Sequence, residues 1–319
     1  MNILITGAAG LIGGALCDRL SFDRVTGVDI AGGSFKKANI VRVQADLTDS
    51  GSVNETCRGS TPDAVVHCAG IAHQKLGAVD AAAYMLVNSE ATENLAGAAA
   101  ATNPNVHFIF LSTISVYGEN HPDRPVGEDA LCSPSSDYAF SKLDGEKRLV
   151  RLFEKGLLRR LTILRLAPLY DREFAFNLER RVFAPKKIAY LKFGNGRQKM
   201  SVLARPNLVE FVAYLLKRPS GNREIEIMNV CDIKSYSFNE IIQTFKASEI
   251  YPVRPTMTIP LPIVWSATRV AGFLLRDKKD WLSSCYDKLA LNLIFDNSKM
   301  IQTGFEPRHT LNTVFHQSN

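Results

Sequence analysis

The stretch Thr6-Gly7-Ala8-Ala9-Gly10-Leu11-Ile12-Gly13 decides the fold. It follows an apolar run, Asn2–Thr6, and opens a helix-compatible segment, Leu11–Leu20. Glycines at 7, 10 and 13 permit a tight turn, close backbone approach to a ligand and close helix packing. The helix start then offers N–H groups to a pyrophosphate. A dinucleotide site at Gly7, Gly10, Leu11, Ile12 and Gly13 is the expectation. Asp29 ends the next β-rich run, sixteen residues beyond Gly13. A carboxylate there accepts hydrogen bonds from the adenosine ribose and repels a 2′-phosphate, so NAD is expected ahead of NADP. The alternatives are that Asp29 caps a turn, and that Lys36 or Lys37 compensates for it to admit NADP.

The rhythm of the first turn continues. Strand candidates are Asn2–Thr6, Arg24–Asp29, Ile40–Gln44, Ala64–Cys68, Phe108–Ser112 and Leu161–Leu166. Helix candidates lie between them at Leu11–Leu20, Ser50–Cys57, Ala78–Ala101 and Tyr138–Lys155. Short β-rich runs alternating with helices predict an α/β fold, a doubly wound parallel sheet of Rossmann type covered on both faces. Beyond residue 166 prolines punctuate the chain and the rhythm is lost. The expected division is a dinucleotide-binding domain over 1–165 and a smaller, mixed substrate domain over 166–319. Segments around 200–230 are expected to return to the first.

The 319 residues are 46% hydrophobic and 22% charged, ordinary for a globular protein with a sizeable core. The N-terminus lacks the basic start and long apolar region of a signal peptide, and a cytosolic location is expected. The longest apolar stretch, Ile259 to Leu275, is broken by Pro260, Pro262, Ser266, Thr268 and Arg269, which makes it a poor membrane span. It is read as a packed helix, with peripheral membrane contact as the alternative. Six cysteines without a Cys-x-x-Cys pair read as reduced thiols, and six histidines show no metal-ligand spacing. The net charge of +6 carries no nucleic-acid motif with it. An anionic small molecule explains the charge as well.

Asp137-Tyr138-Ala139-Phe140-Ser141-Lys142 places a tyrosine and a lysine four residues apart, on one face of a helix. A nearby cation favours an ionised phenol, which suits proton transfer. Alone the pair is weak, since a solvated helix face reads the same way.

Taken in order, these segments resemble the extended short-chain dehydrogenase/reductase family, in its nucleotide-sugar epimerase/dehydratase group. Thr-Gly-x-x-Gly-x-x-Gly is the first element. Asp46-Leu47, after the third strand, resembles the adenine contact, and Cys68-Ala69-Gly70 resembles the segment supporting the cofactor. Asn88 resembles the family's helix-distorting asparagine. Leu111-Ser112-Thr113-Ile114-Ser115 looks like the catalytic Ser/Thr segment, with Ser112 and Ser115 competing with Thr113 for the role. Arg165-Leu166-Ala167-Pro168 resembles a further family stretch. The resemblance implies that Tyr138 is the proton-transfer group and that Lys142 favours its phenolate and holds the nicotinamide ribose. Thr113 would position the reacting oxygen.

In the second half, Asn177-Leu178 resembles the segment whose backbone meets a second pyrophosphate, with a helix N-cap by Asn177 as the alternative. Met200 stands where relatives carry a phosphate-binding arginine; Arg197, Lys199 or Arg205 could substitute. Met228-Asn229-Val230-Cys231-Asp232 and Phe295-Asp296-Asn297-Ser298-Lys299 resemble sugar-nucleotide enzymes, or else are structural turns. Ile114-Ser115 replaces the Asp-Glu that 4,6-dehydratases carry after the threonine, which argues against dehydration. The resemblance implies chemistry at carbon 4 of a UDP-linked sugar in surface-polysaccharide precursor synthesis, by a 4-epimerase or a 4-ketoreductase. The sugar nucleotide would sit between the two halves. A reductase of apolar alcohols and a non-catalytic dinucleotide sensor remain as alternatives. A homodimer is expected through the helices at 78–101 and 138–160.

Overall fold

The computed structural model describes all residues except 21–22, 32–39, 73–78, 119–123, 220, 222, 277–278 and 317–319. Two compact units emerge. The first comprises Met1–Gly118, Leu131–Leu166 and Val209–Met228. The second comprises Glu119–Ala130, Ala167–Leu208 and Asn229–Asn319, as far as these are described.

The first unit is built on β1 (Asn2–Thr6), β2 (Arg24–Asp29), β3 (Ile40–Gln44), β4 (Ala64–His67), β5 (His107–Thr113) and β6 (Arg160–Leu166). Five parallel pairings join them. The central strands β4 and β5 are buried at every residue, as expected for strands covered on both faces. Their apolar side chains and those of α2 (Ser50–Ser60), α4 (Ala91–Thr102) and α5 (Asp137–Glu154) share one core. It includes Leu4, Val65, Phe108, Phe110, Val53, Leu95 and Leu149. The predicted strands fall within a residue of the observed ones. A seventh strand, β11 (Glu224–Val230), lies at the edge against β6 in the order β11-β6-β5-β4-β1-β2-β3. Sequence reading did not find it as a strand, although Glu224-Ile225-Glu226-Ile227 alternates charged and apolar as an edge strand does.

The long helix expected over 78–101 is divided. Ala81–Met85 (α3) is followed by a π-helical turn, Leu86–Glu90, and then α4. Residue 78 lies outside the described residues. The π turn places Asn88 inward, where it is fully buried.

The second unit is assembled from short two-stranded pairs and helices. β7 (Leu169–Tyr170) pairs with β10 (Leu203–Ala204), β8 (Tyr190–Phe193) with β13 (Thr256–Ile259), and β9 (Lys199–Met200) with β12 (Tyr236–Ser237). Helix α8 (Phe238–Ala247) begins at a capping box between Ser237 and Glu240. Its Phe245 packs on Phe183, Tyr251 and Phe315. The tail motif at Asp296 is a turn, since its carboxylate accepts from Ser298 N–H at 2.9 Å. Asp232 is likewise internal, accepting from Tyr170 Oη at 2.6 Å and Asn207 Nδ2 at 2.8 Å.

The apolar stretch 259–275 is not a packed helix, which corrects the sequence reading. Residues Leu261–Leu274 form α9, and Gly272 is its one buried residue. No helix among the described residues is long and apolar enough to cross a membrane. All six cysteines are free thiols.

Candidate active site

The glycine turn is shaped for a ligand by what it excludes. Gly7 has φ 65°, a region that favours glycine, and a Cβ there would lie 2.8 Å from Ala69 N. A Cβ on Gly13 would lie 2.1 Å from the Gly7 carbonyl oxygen. The helix α1 (Leu11–Arg19) starts at Gly10 without a side-chain cap, and its dipole favours an anion at that end. Asp29 spans this turn: Oδ2 accepts from Ala9 N–H at 3.0 Å and Oδ1 from Ala31 N–H at 2.9 Å. A carboxylate has about four acceptor sites, so two remain for ribose hydroxyls. Asp46 is exposed and accepts from Thr48 N–H at 2.9 Å, while Leu47 packs partly into the core. Lys36 and Lys37 lie outside the described residues.

Behind the turn runs a buried chain of hydrogen bonds that sequence reading missed. Ala69 N–H donates to Thr6 Oγ1 at 3.2 Å. Thr6 Oγ1 lies 2.7 Å from His67 Nδ1, and His67 Nε2 lies 2.8 Å from Thr92 Oγ1. Thr92 donates to the Asn88 carbonyl at 2.9 Å. One polarity satisfies every group: His67 is neutral, protonated on Nε2, and accepts from Thr6. Burial, and secondarily Lys142, lowers its pKa to about 3. The chain fixes Cys68-Ala69-Gly70 beside the glycine turn. The one sequence signal was a histidine ending an otherwise apolar strand.

Asn88 locks the other side of that segment. Its Oδ1 accepts from Ile71 N–H at 2.7 Å, and its Nδ2 donates to Ile71 O and Ser141 Oγ, each at 3.0 Å. Ser141 lies between Tyr138 and Lys142 on α5, so the π turn and α5 are tied directly.

Tyr138 and Lys142 occupy successive turns of α5, which Ser136 caps through Ala139 N–H. The Thr113 hydroxyl is hydrogen-bonded to Tyr138. Burial pushes the Tyr138 phenol up to about 12; the Thr113 hydrogen bond works against this and Tyr84 adds to it. Lys142 is 5% exposed, with Nζ 4.2 Å from the Phe110 ring centroid and 3.8 Å from where a Gly70 Cβ would stand. Burial lowers its pKa to about 8, opposed by Glu146 and Cys68.

Thr113 is distinguished from its neighbours by position. Ser112 Oγ donates to Glu146, and Glu146 pairs with Arg165 at 2.7 Å. Arg165 also donates to Tyr117 Oη at 2.8 Å. Ser115 is exposed and lies 3.2 Å from Thr113 Oγ1. The Ser112–Glu146–Arg165–Tyr117 network was not anticipated; its signal was Glu146 four residues after Lys142 on the sheet-facing stripe.

These residues fit an NAD-type dinucleotide on the structure's own terms. A cradle that Cβ atoms would fill opens onto an uncapped helix start. Among the described residues no carboxylate forms an ion pair with the buried Lys142, which leaves its ammonium for ribose hydroxyls.

In the second unit Leu178 is fully buried and its N–H bonds to Ala175 O at 2.9 Å. Helix α6 (Phe176–Val182) is capped at Ala175, so the N-cap alternative for Asn177 is not met. Arg197 and Lys199 are exposed, and neither forms an ion pair among the described residues. Arg205 is paired with Asp171. Met200 is buried.

A dinucleotide-binding α/β protein with a Thr–Tyr–Lys constellation defines the class: an extended short-chain dehydrogenase/reductase. The chain belongs to the NAD dependent epimerase/dehydratase family, whose model matches residues 3–231. It is 28% identical to a UDP-glucose 4-epimerase of Vibrio cholerae over 99% of this chain and 94% of that protein. It is 27% identical to the N-acetyl-alpha-D-glucosaminyl-diphospho-ditrans,octacis-undecaprenol 4-epimerase of Escherichia coli O157:H7, over 97% and 92%. The fold matches a Thermotoga maritima UDP-glucose 4-epimerase solved with UDP-glucose, with TM-score 0.74 at 20% identity over 99% and 98% of the two chains.

Proposed function

We propose that this protein is an NAD-dependent oxidoreductase acting at carbon 4 of a nucleotide sugar, with 4-epimerisation as the net reaction. The observation that carries the reading is the Thr113–Tyr138 hydrogen bond beside a buried lysine and a glycine cradle. Binding alone needs no such proton donor. Ile114 is buried and Ser115 is a hydroxyl, so no acid or base follows Thr113 to eliminate water. Two full-length relatives are named as 4-epimerases.

Tyr138 takes the proton of the carbon-4 hydroxyl and returns it on reduction. Thr113 holds the reacting oxygen in place. Lys142 grips the nicotinamide ribose, and Asp29 grips the adenosine ribose. Gly7, Gly10, Leu11, Ile12 and Gly13 receive the pyrophosphate, with Asp46, Leu47, Cys68, Ala69 and Gly70 lining the cofactor. NAD, when bound, supplies hydride acceptance and return, and its oxidised form brings positive charge that favours the ionised phenol. Arg197 and Lys199 supply charge for the substrate phosphates, beside the Asn177-Leu178 segment. The protein works as a homodimer, supported by Leu86 and Phe140, exposed at 44% and 56% on the helices expected to pair.

The test is incubation of the NAD-loaded protein with UDP-glucose, UDP-galactose and their N-acetylhexosamine counterparts, with products separated by chromatography. Interconversion of a 4-epimer pair is expected. Consumption of NADH by a 4-keto sugar without epimer exchange would replace epimerase by ketoreductase. Melting-temperature gains from a neutral alcohol but not from UDP, GDP or dTDP would overturn the nucleotide-sugar reading. Sedimentation at micromolar concentration should show twice the 35.2 kDa chain mass.

A further inference from the structure

Behind the site lies a cluster of polar side chains that neither cofactor binding nor proton transfer uses directly. Ser112, Tyr117, Glu146 and Arg165 are all buried. Glu146 accepts from Ser112 Oγ. It also accepts from Arg165 Nε at 3.2 Å and from Arg165 Nη2 at 2.7 Å. Arg165 Nη1 donates to Tyr117 Oη at 2.8 Å, and the guanidinium lies 4.9 Å from the Tyr117 ring centroid. A buried ion pair adds little net stability over apolar side chains of the same shape. What it adds is direction, because the planar guanidinium fork meets its partners at fixed angles.

The cluster grips the chain on both sides of Thr113 and on the stripe that carries Tyr138 and Lys142. Ser112 precedes Thr113 on β5, and Arg165 stands beside Ser112 in the register of β5 and β6. Tyr117 ends the short helical turn Ile114–Tyr117, which Thr113 caps by accepting from Ser115 N–H at 3.2 Å. Tyr138, Lys142 and Glu146 follow one another at helical spacing along α5. Phe110 and Ser112 alternate with their neighbours on β5 and so share a face of the strand. Lys142 lies over Phe110, with Nζ 4.2 Å from the ring centroid, and Glu146 takes Ser112. Gly145 lets α5 close on the π turn, since a Cβ there would lie 2.8 Å from the Asn88 carbonyl oxygen. Two successive turns of α5 are thus pinned to β5, and neither rotation nor sliding of the helix leaves the cluster whole.

We propose that Glu146 is a positioning residue for the carbon-4 reaction, holding the Tyr138 face of α5 against Thr113 through Ser112, Arg165 and Tyr117. The role rests on Thr113 and Tyr138 acting on one substrate oxygen, as the carbon-4 reading requires. Their hydrogen bond spans two elements, and such bonds fade beyond about 3.2 Å. A misplacement of about 1 Å costs on the order of 10²-fold in rate. Glu146 has a second effect through its charge. It raises the pKa of Lys142 against the burial that lowers it to about 8. The titratable groups about Lys142 are Tyr138 and Glu146 on its own helix, His67 and Cys68 at the end of β4, and Arg165 beyond Glu146. Burial keeps His67 neutral and the Cys68 thiol and Tyr138 phenol protonated. Among these groups Glu146 alone is an anion at neutral pH.

The test uses the full-length, NAD-loaded protein. Ser112→Ala and Tyr117→Phe cut the cluster from the strand and from the turn, and both leave the Glu146–Arg165 pair in place. Each should lower kcat for epimer exchange by about 10–10²-fold, with the KM for the sugar nucleotide and the melting temperature little changed. A merely structural role gives the reverse, a lower melting temperature with kcat per folded molecule intact. Glu146→Gln should lower kcat as well. Loss of the anion disfavours the ammonium, so the titration of Lys142 should move to lower pH. Carbon NMR of the lysine-labelled protein follows that titration, and Lys142→Arg identifies the signal. Unchanged kcat in both Ser112→Ala and Tyr117→Phe overturns the proposal. So does a Lys142 titration that Glu146→Gln leaves where it was. Should Glu146→Gln fail to fold, the first two variants decide. The titration needs no substrate, so a wild type that exchanges no epimer pair sinks the carbon-4 reading while the coupling of Glu146 to Lys142 is still measured on its own.

Discussion

The Thr113 hydroxyl at the end of β5 is hydrogen-bonded to Tyr138 in the first turn of α5. Twenty-five residues separate them in the chain, and the parallel sheet returns one to the other. The bond opposes the burial that raises the phenol to about 12, so Thr113 favours the ionised phenol.

Tyr138→Phe should leave the fold intact, since the ring still packs edge-on to Tyr84 with centroids 6.4 Å apart. Turnover should fall by about 10²–10⁴-fold, the usual contribution of a general acid–base group. Steady-state kinetics with the interconverting sugar pair checks this. Activity within a few-fold of wild type would remove Tyr138 from the chemistry.

Asp29 should make NAD bind more tightly than NADP. Asp29→Ala should weaken NAD by about 1.5–3 kcal/mol, the range for a hydrogen bond to a charged group, and narrow the gap to NADP. Calorimetric titration of both nucleotides measures it. Equal affinities in the wild type would mean that Asp29 serves only Ala9 and Ala31.

Gly13→Ala adds a methyl 2.1 Å from the Gly7 carbonyl oxygen, which backbone must yield to accommodate. A loss of about 1–3 kcal/mol in stability is expected from overpacking, together with weaker NAD binding. Gly59→Ala, where nothing lies within 4 Å, is the control and should not destabilise. Urea denaturation distinguishes them.

Glu146→Gln leaves the guanidinium of Arg165 buried opposite a neutral group; the pair is only 6% and 3% exposed. Breaking a buried pair destabilises by about 3–5 kcal/mol. Arg148→Gln removes two partly exposed pairs, with Glu93 (26% and 32%) and Asp144 (26% and 24%), each worth under about 1 kcal/mol. Similar urea midpoints for the two variants would show that burial does not govern the difference.

Acid should destabilise the protein through His67. Its pKa is 6.5 in the unfolded chain and about 3 in the fold. Between these values the unfolded state holds the extra proton. Stability from this group is therefore complete above about pH 6.5 and lost as the pH falls toward about 3, at about 1.4 kcal/mol per pH unit. His107, also lowered to about 3 by burial, acts in the same direction. Asp232, raised to about 6 by burial, acts against them. Comparing wild type with His67→Gln by denaturation across this range isolates the one group. Parallel curves would show that His67 is not the source.

The sequence by itself determined the sheet and the turn. Strands β1, β2 and β3 were legible to the residue, because each is a short β-branched-rich run bounded by turn residues. Gly7 and Gly13 announced the cradle because an added Cβ would press on backbone at both, and Gly7 also has a positive φ. Tyr138 and Lys142 were legible because helix periodicity puts i and i+4 on one face. What only the tertiary structure decided depends on partners distant in the chain. Three hydroxyls at 112, 113 and 115 read alike as letters; Glu146 takes Ser112, solvent faces Ser115, and Tyr138 meets Thr113. The neutral state of His67 rests on its burial, and its tautomer on Thr6 and Thr92, brought together by two neighbouring strands and a helix. The edge strand Glu224–Val230 has meaning only against β6. Helix α9 is apolar enough in sequence to pass for core, and whether another element covers such a face is set by the packing of the whole unit, which no local pattern records.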